Sequence, residues 1–304
     1  MTGIDDTSET TVVYVAGYGR SGSTLLDLLL GQREAWFSMG EFRMFWHALR
    51  DGWRCGCGDP VARCRVWSEV VEGSRPLDVS SVIADARATL RIRHVPALAM
   101  HVRGGLDPAA LDRLRATLAR VYRVTAETAG ARILVDSSKD PIYGLVLAGA
   151  PGIHMHVVHL VRDSRAVAWS WQRTRVRPEI ESGRAYMPTR SATRTSLDWD
   201  LRNGLVHVLA RRARSYTRVT YEELTADPER IVDGVARRLG WHANPPPSVP
   251  VAVANHTVAG NPMRFTSGGI TVDPDVEWCD RLDGRSRRLV TALTWPLLRA
   301  YDYR

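Results

Sequence analysis

Residues 12–31, VVYVAGYGRSGSTLLDLLLG, constrain the fold more than any other stretch of this chain. Val12, Val13, Tyr14 and Val15 form a run of β-formers without a polar break, the pattern of a buried strand. The turn GYGRSGS follows at once, and residues 24–30 read as the opening turns of a helix. A strand, a glycine-bearing turn and a helix start aim free backbone N–H groups and the positive end of a helix dipole at one spot, which favours an anion. A helix start packed on a strand without a ligand would leave Arg20, set among small residues, without a purpose.

Composition narrows the class of ligand. At 304 residues the chain can bury a sizeable core, and one domain over 10–304 is expected. The formal charge is +8, and Lys139 is the only lysine among 41 lysines and arginines. A lone lysine in such a chain points to chemistry, because its flexible ammonium differs from a planar guanidinium fork. The positive balance suits a polyanionic small molecule. Nucleic acid is not expected, since the arginines are scattered and no stacking-aromatic motif accompanies them. No run of 18 apolar residues occurs, so no membrane span is expected. The acidic, polar start MTGIDDTSET is unlike a signal peptide, and the expected location is cytoplasmic.

Gly17, Gly22 and Thr24 fit the phosphate-binding frame G-x-x-x-x-G-K-[ST], but Ser23 stands where nucleotide-hydrolysing loops carry lysine. Gly19 and the run Arg20, Ser21, Gly22, Ser23, Thr24 resemble instead the 5′-phosphosulfate loop of sulfotransferases that use PAPS (3′-phosphoadenosine 5′-phosphosulfate). The RSGST form is more similar to the tyrosylprotein and bacterial branch than to the cytosolic steroid and phenol branch. Further segments carry the resemblance in the family's order. Gly40-Glu41 resembles the GEE-type segment that supplies a general base, which implies that role for Glu41; an apolar aromatic setting would raise its pKa. An exposed helix glutamate is the plain alternative. DSSKDP, 136–141, follows a strand at 132–135, and polar residues at the carboxyl end of a parallel strand fall on the ligand edge of a sheet. Its resemblance to the family's DSSK or NKDP segment implies that Lys139 stabilises the leaving phosphate oxygen and that Ser138 assists. A structural ion pair of Lys139 with Asp136 or Asp140 is the alternative. Arg162 and Ser170, eight residues apart after a strand at 157–161, match the family's 3′-phosphate motif. Arg162-Asp163 as a simple helix cap competes with that reading. Tyr221, in YEEL, resembles the YEDL tyrosine near adenine, and 255–272 resembles the C-terminal lid, with Arg264 as a further 3′-phosphate ligand.

The remaining chain supplies the frame. Residues 77–130 read as helical, restarting at Asp107-Pro108 with Leu111, Leu114, Leu118, Val121 and Thr125 on one face. The fold expected is α/β: a P-loop-type parallel sheet flanked by helices on both faces, with this helical insertion, about 70–130, after the first βα unit and forming the acceptor wall. His94 and His101 within it read as surface or cap residues. Residues 179–195 read as a mobile loop over the acceptor, 197–212 and 228–239 as helices, 215–220 as a strand, 244–250 as a proline-rich link, and 276–301 as a closing helix. Trp36, Phe42 and Trp46 suggest an aromatic wall for a lipid-like, aromatic or glycosylated acceptor. Cys55, Cys57 and Cys64 follow C-x-C-x6-C; zinc with His47 or Cys279 as fourth ligand fits no common module, and a reduced surface loop or one local disulfide is favoured.

These readings converge on an enzyme moving a sulfuryl group from PAPS, with PAP as product and no metal, to a hydroxyl of a secondary metabolite, lipid or glycan. Glu41 would take the proton while Lys139 and Arg20 stabilise the leaving oxygen. The rivals are an ATP- and Mg²⁺-dependent P-loop kinase, with Asp136 as its metal-binding acid, and an inactive PAPS-binding protein.

Overall fold

The computed structural model describes residues 9–100, 105–174, 176–177, 179–180, 185–241, 255–265 and 272–303. His101, the link 244–250 and residues 266–271 of the expected lid lie outside them. The chain order is β1 (Thr10–Gly17), α1 (Ser23–Leu30), β2 (Trp36–Gly40), α2 (Phe45–Asp51), α3 (Arg65–Gly73), α4 (Val79–Thr89), α5 (Val95–Met100), α6 (Pro108–Ala129) and β3 (Ile133–Lys139). Then follow α7 (Pro141–Ala148), β4 (Ile153–Val161), α8 (Ser164–Gln172), α9 (Ala192–Ala210), β5 (Ser215–Thr220), α10 (Tyr221–Ala226), α11 (Pro228–Arg238), α12 (Trp278–Arg281) and α13 (Gly284–Ala300).

The five strands pair in parallel in the order β2-β3-β1-β4-β5, which puts β1 at the centre. Strand alternation divides its side chains between two cores. Val12, Tyr14 and Ala16 join Leu134, Met155 and Val157 under α2, α6, α7 and α9. Val13 and Val15 join Val135, Val158 and Val219 under Leu25, Leu26, Leu29 and Leu30 of α1 and Val232 and Val235 of α11. A parallel sheet buried on both faces needs such an uninterrupted apolar run, which is what the sequence shows at 12–15. The α6 face is also as read: Leu111, Leu114, Leu118, Val121 and Thr125 are all buried, Asp107 caps the start, and Gly130 ends the helix at φ 59°.

Several expectations are corrected. Residues 36–40, read as part of an aromatic loop, form edge strand β2, which stands between the first βα unit and the helical stretch. The short run WFSMG carries too little alternation to announce a strand; pairing with β3 makes it one. Trp36, Phe42 and Trp46 are not an acceptor wall, being 5, 0 and 2% exposed, and Phe42 stacks on Phe45 inside the core. His94 is a core residue, its Nδ1 3.0 Å from the Thr89 carbonyl. The cysteine loop is not a surface loop either, since Cys55 and Cys64 are fully buried, and all four cysteines are free thiols. No described helix is long and apolar enough to cross a membrane.

Candidate active site

The turn from β1 to α1 opens on a cleft of about 370 Å³. Gly22 begins α1 in the left-handed region, φ 88°, and no side chain caps the helix start. The first N–H groups of α1 are therefore left for a ligand. Ser21 Oγ is buried without a hydrogen-bond partner, an orphan that an anion's oxygen would satisfy. Ser23 and Thr24 are buried at the cleft, which Gly19 and Gly22 also line. Arg20, at φ 73°, lays its guanidinium over Trp171, 5.0 Å from the ring centre, and the Trp171 indole donates to the Gly19 carbonyl at 3.3 Å.

Glu41 and Lys139 meet in the same cleft. β3 ends in Lys139, whose φ of 65° breaks the strand, and Asp140 then caps α7 by accepting from the amides of Ile142 and Tyr143. Lys139 Nζ lies 2.5 Å from Glu41 Oε1 and donates to the Ser137 carbonyl at 3.1 Å. Lys139 thus pairs with Glu41 and not with Asp136 or Asp140. Glu41 has left the aromatic cluster expected to surround it, because Phe42 and Phe45 turn inward while its carboxylate points to the lysine. Gly40, at φ 73°, is required here: a Cβ would lie 2.6 Å from the Val258 carbonyl oxygen. Val258 accepts from the Glu41 amide at 2.7 Å and donates to the Met39 carbonyl at 2.9 Å.

Ser138 lines the cleft, but its hydroxyl is engaged, donating to Asp136 at 2.5 Å and accepting from the Arg43 amide at 2.9 Å. It positions the turn. Asp136 is fully buried and also accepts from Tyr122; burial lifts its pKa to about 6 despite those bonds. It does not line the cleft, so the acid that the kinase alternative needs is turned away from it. Asp140 has the opposite balance. Burial alone would raise it, but Arg202 at 3.0 Å and Arg43 hold it below its ordinary value.

Arg162, 4% exposed, stands behind the loop. It donates to the Arg20 carbonyl at 3.1 Å, stacks over Tyr221 at 4.2 Å and pairs with Asp275 at 3.3 Å, while its buried Nε has no partner. The structure therefore joins Arg162, Tyr221 and the loop. Ser170 is buried on α8 and, like Arg162 and Tyr221, is not among the described residues that line the cleft. Arg264 is also absent from the described residues that line the cleft. It is 1% exposed and directed at the carbonyls of Arg54 and Thr257, because the short helical turn Pro262–Phe265 carries it inward. No described residue of 70–130 lines the cleft; its wall is made by Tyr18, Trp53, Trp171, Met187, Pro188 and Met263.

Sequence reasoning missed Arg43, Arg177, Arg190 and Arg202, which ring the cleft, each near an acid: Asp140, Glu179, Asp198 and Asp140 respectively. Among so many arginines nothing in the sequence distinguishes these four.

An uncapped anion loop at the switch point of a parallel sheet, facing an ion-paired lysine and glutamate, defines a group-transfer enzyme of the P-loop-like kind. Residues 13–245 match the Sulfotransferase family, and the chain belongs to it. It is a sulfotransferase. No curated protein matches the sequence significantly. The fold is similar to that of the sulfotransferase domain from the curacin biosynthetic pathway, with 16% identity, a TM-score of 0.54 and 98% and 99% of the two chains covered. Looser similarities are to the sulfotransferase domain of the Synechococcus PCC 7002 olefin synthase (18% identity, TM-score 0.47, 95% and 96% covered) and to the sulfotransferase STF1 of Mycobacterium tuberculosis (18%, 0.39, 79% and 70%).

Proposed function

We propose that the enzyme moves a sulfuryl group from PAPS to a hydroxyl of a small molecule with an apolar or aromatic body, a secondary metabolite, lipid or glycan. The observation that carries this reading is the Lys139–Glu41 pair, at 2.5 Å, in the same cleft as the uncapped start of α1. The donor's 5′-phosphosulfate suits the amides of Gly19 to Thr24, the hydroxyls of Ser21, Ser23 and Thr24, and Arg20. Its 3′-phosphate suits Arg162, whose Nε lacks a partner, together with Ser170 of α8, and its adenine suits Tyr221. The acceptor body suits the wall of Trp53, Trp171 and Met187.

The transfer is an in-line displacement at sulfur. The acceptor oxygen bonds to sulfur as the bond from sulfur to the phosphate oxygen breaks. Lys139 turns its ammonium from Glu41 to that departing oxygen, and Glu41, so released, takes the hydroxyl proton. Positioning and preorganised charge supply most of the acceleration. A domain over 10–304 contains all these parts, and no step calls for a metal.

Calorimetric titration with PAP and with ATP–Mg²⁺, repeated on Arg162→Ala, tests the donor. Micromolar PAP binding that the substitution abolishes, with little ATP binding, is expected. Tight ATP–Mg²⁺ binding indifferent to Arg162 would overturn the reading.

A further inference from the structure

Cys55, Cys57 and Cys64, on the loop joining α2 to α3, meet a residue nearly two hundred positions away. His256 brings its Nδ1 to 3.2 Å from Cys64 Sγ and 4.0 Å from Cys55 Sγ. The four ligand atoms all lie within 4.8 Å of one another, and this is the one group of metal-ligating side chains so placed among the described residues. In a tetrahedral zinc site, with Zn–S of about 2.3 Å and Zn–N of about 2.0 Å, ligand atoms stand about 3.5–3.8 Å apart. The observed separations bracket that edge. Neither His47 nor Cys279 takes part.

The surroundings are those of thiolate ligands. The amide of Cys57 is directed at the Cys55 sulfur, that of Asp59 at Cys57, and those of Val66 and Trp67 at Cys64. The loop is folded back on itself, the Cys55 amide donating to Asp59 at 2.8 Å and the Gly58 amide to Cys55 at 2.9 Å. Gly56 donates to the Thr257 carbonyl at 3.0 Å, and a Cβ there would lie 1.8 Å from Asn255 Oδ1, so only glycine lets the two segments touch. The Trp67 indole donates to the His256 carbonyl at 2.7 Å and fixes the histidine backbone. Three thiolates and a neutral imidazole around a divalent cation leave one negative charge. Arg264, buried and tied to carbonyls of both segments, is the cation beside it. This assigns the arginine a place that the donor site does not.

We infer that Cys55, Cys57, Cys64 and His256 bind a structural zinc ion that clamps residues 255–265 onto the cysteine loop. On binding, the three thiols release their protons to solvent and the imidazole coordinates through Nδ1. Three cysteines and one histidine, with no open position, is the donor set of a structural site. The clamped segment lines the cleft: Val258 holds the Glu41 backbone, and the Asn261 amide donates to Thr24 Oγ1 at 3.1 Å. The inference stands whatever the donor and acceptor are.

Metal analysis of the untagged protein, expressed with zinc supplied and purified without chelator, is the test. One zinc per chain is expected. After exchange, cobalt(II) should show the intense visible bands of tetrahedral coordination together with thiolate-to-cobalt charge transfer. His256→Cys should keep the metal and shift that spectrum, while His256→Ala should lose it. Cys64→Ser alone would be ambiguous if it fails to fold, so the cobalt spectrum of the unaltered chain decides. Sub-stoichiometric zinc with no tetrahedral cobalt spectrum, or a disulfide among the three cysteines in the freshly isolated protein, would overturn the site.

Discussion

Glu41 and Lys139 face each other at 2.5 Å, and that pairing sets what either substitution should do. Lys139→Ala removes the cation at the departing oxygen and should lower kcat by about 10²–10³, or ~3–4 kcal/mol of barrier, with PAP affinity changed far less. Glu41→Gln should lower kcat by about 10²–10⁴ if it is the base. Single-turnover rates with a saturating phenolic acceptor check both, and an unchanged kcat in either would remove that residue from the chemistry. Two other carboxyls make a stability prediction. Burial lifts Asp27 to about 7 and Asp136 to about 6, against ordinary values near 3.8. The folded state then holds protons that the unfolded chain has released, so the contribution of these two groups to stability is highest in acid and declines as pH rises from about 4 to about 7. Asp27→Asn keeps the acceptor for Ser38 and should flatten that decline, giving a higher Tm than the parent at pH 8; equal slopes in thermal melts across pH would refute it. Lys139 and Glu41 were legible as residues, the one by its singularity and the other by its motif. Their contact was not, because it depends on where β3 ends and how Val258 crosses Gly40.

At the scale of elements, the stretch from 272 to 275 bears on the donor site through Arg162. The Asp275 carboxylate pairs with the guanidinium at 3.3 Å, and its backbone amide donates to the Tyr221 hydroxyl oxygen at 3.1 Å. Asp275 is a side-chain anion competing for the cation assigned to the 3′-phosphate. Asp275→Asn should therefore tighten PAP binding by up to about five-fold, the ~1 kcal/mol ceiling for a partly exposed ion pair. Weaker binding in that variant would make Asp275 a support of Arg162 and not a rival. Helix α6 offers a test of the frame. Leu118 is fully buried on its inner face, and Leu118→Ala should cost about 2–5 kcal/mol in denaturant unfolding while leaving KM for the donor unchanged, since no α6 residue reaches the cleft. Both ends of this helix were readable, from Asp107-Pro108 and from Gly130, because caps are local chemistry. β2 was not, because an edge strand of five residues is made by its neighbour.

Over the whole molecule, the charge of +8 should act at a distance on a polyanionic donor. The association rate with PAP is expected to fall as salt rises from about 0.05 to about 0.5 M, where the screening length shrinks from more than 10 Å to a few ångströms. A rate independent of salt in stopped-flow measurements would confine the attraction to the cleft itself. The sequence by itself determined the central strand, the anion loop, the parallel α/β class and the order of the family's segments. These rest on local patterns, an unbroken β-former run, a glycine turn and helix caps, whose physics spans a few residues. Tertiary structure alone decided what stands opposite what. It turned Trp36, Phe42 and Trp46 into core, lined the cleft with Trp53, Trp171 and Met187, sent Arg264 to the carbonyls of Arg54 and Thr257, and brought His256 to three cysteines. Each of those outcomes depends on packing between segments far apart in the chain, and a one-dimensional pattern carries no record of which buried faces meet.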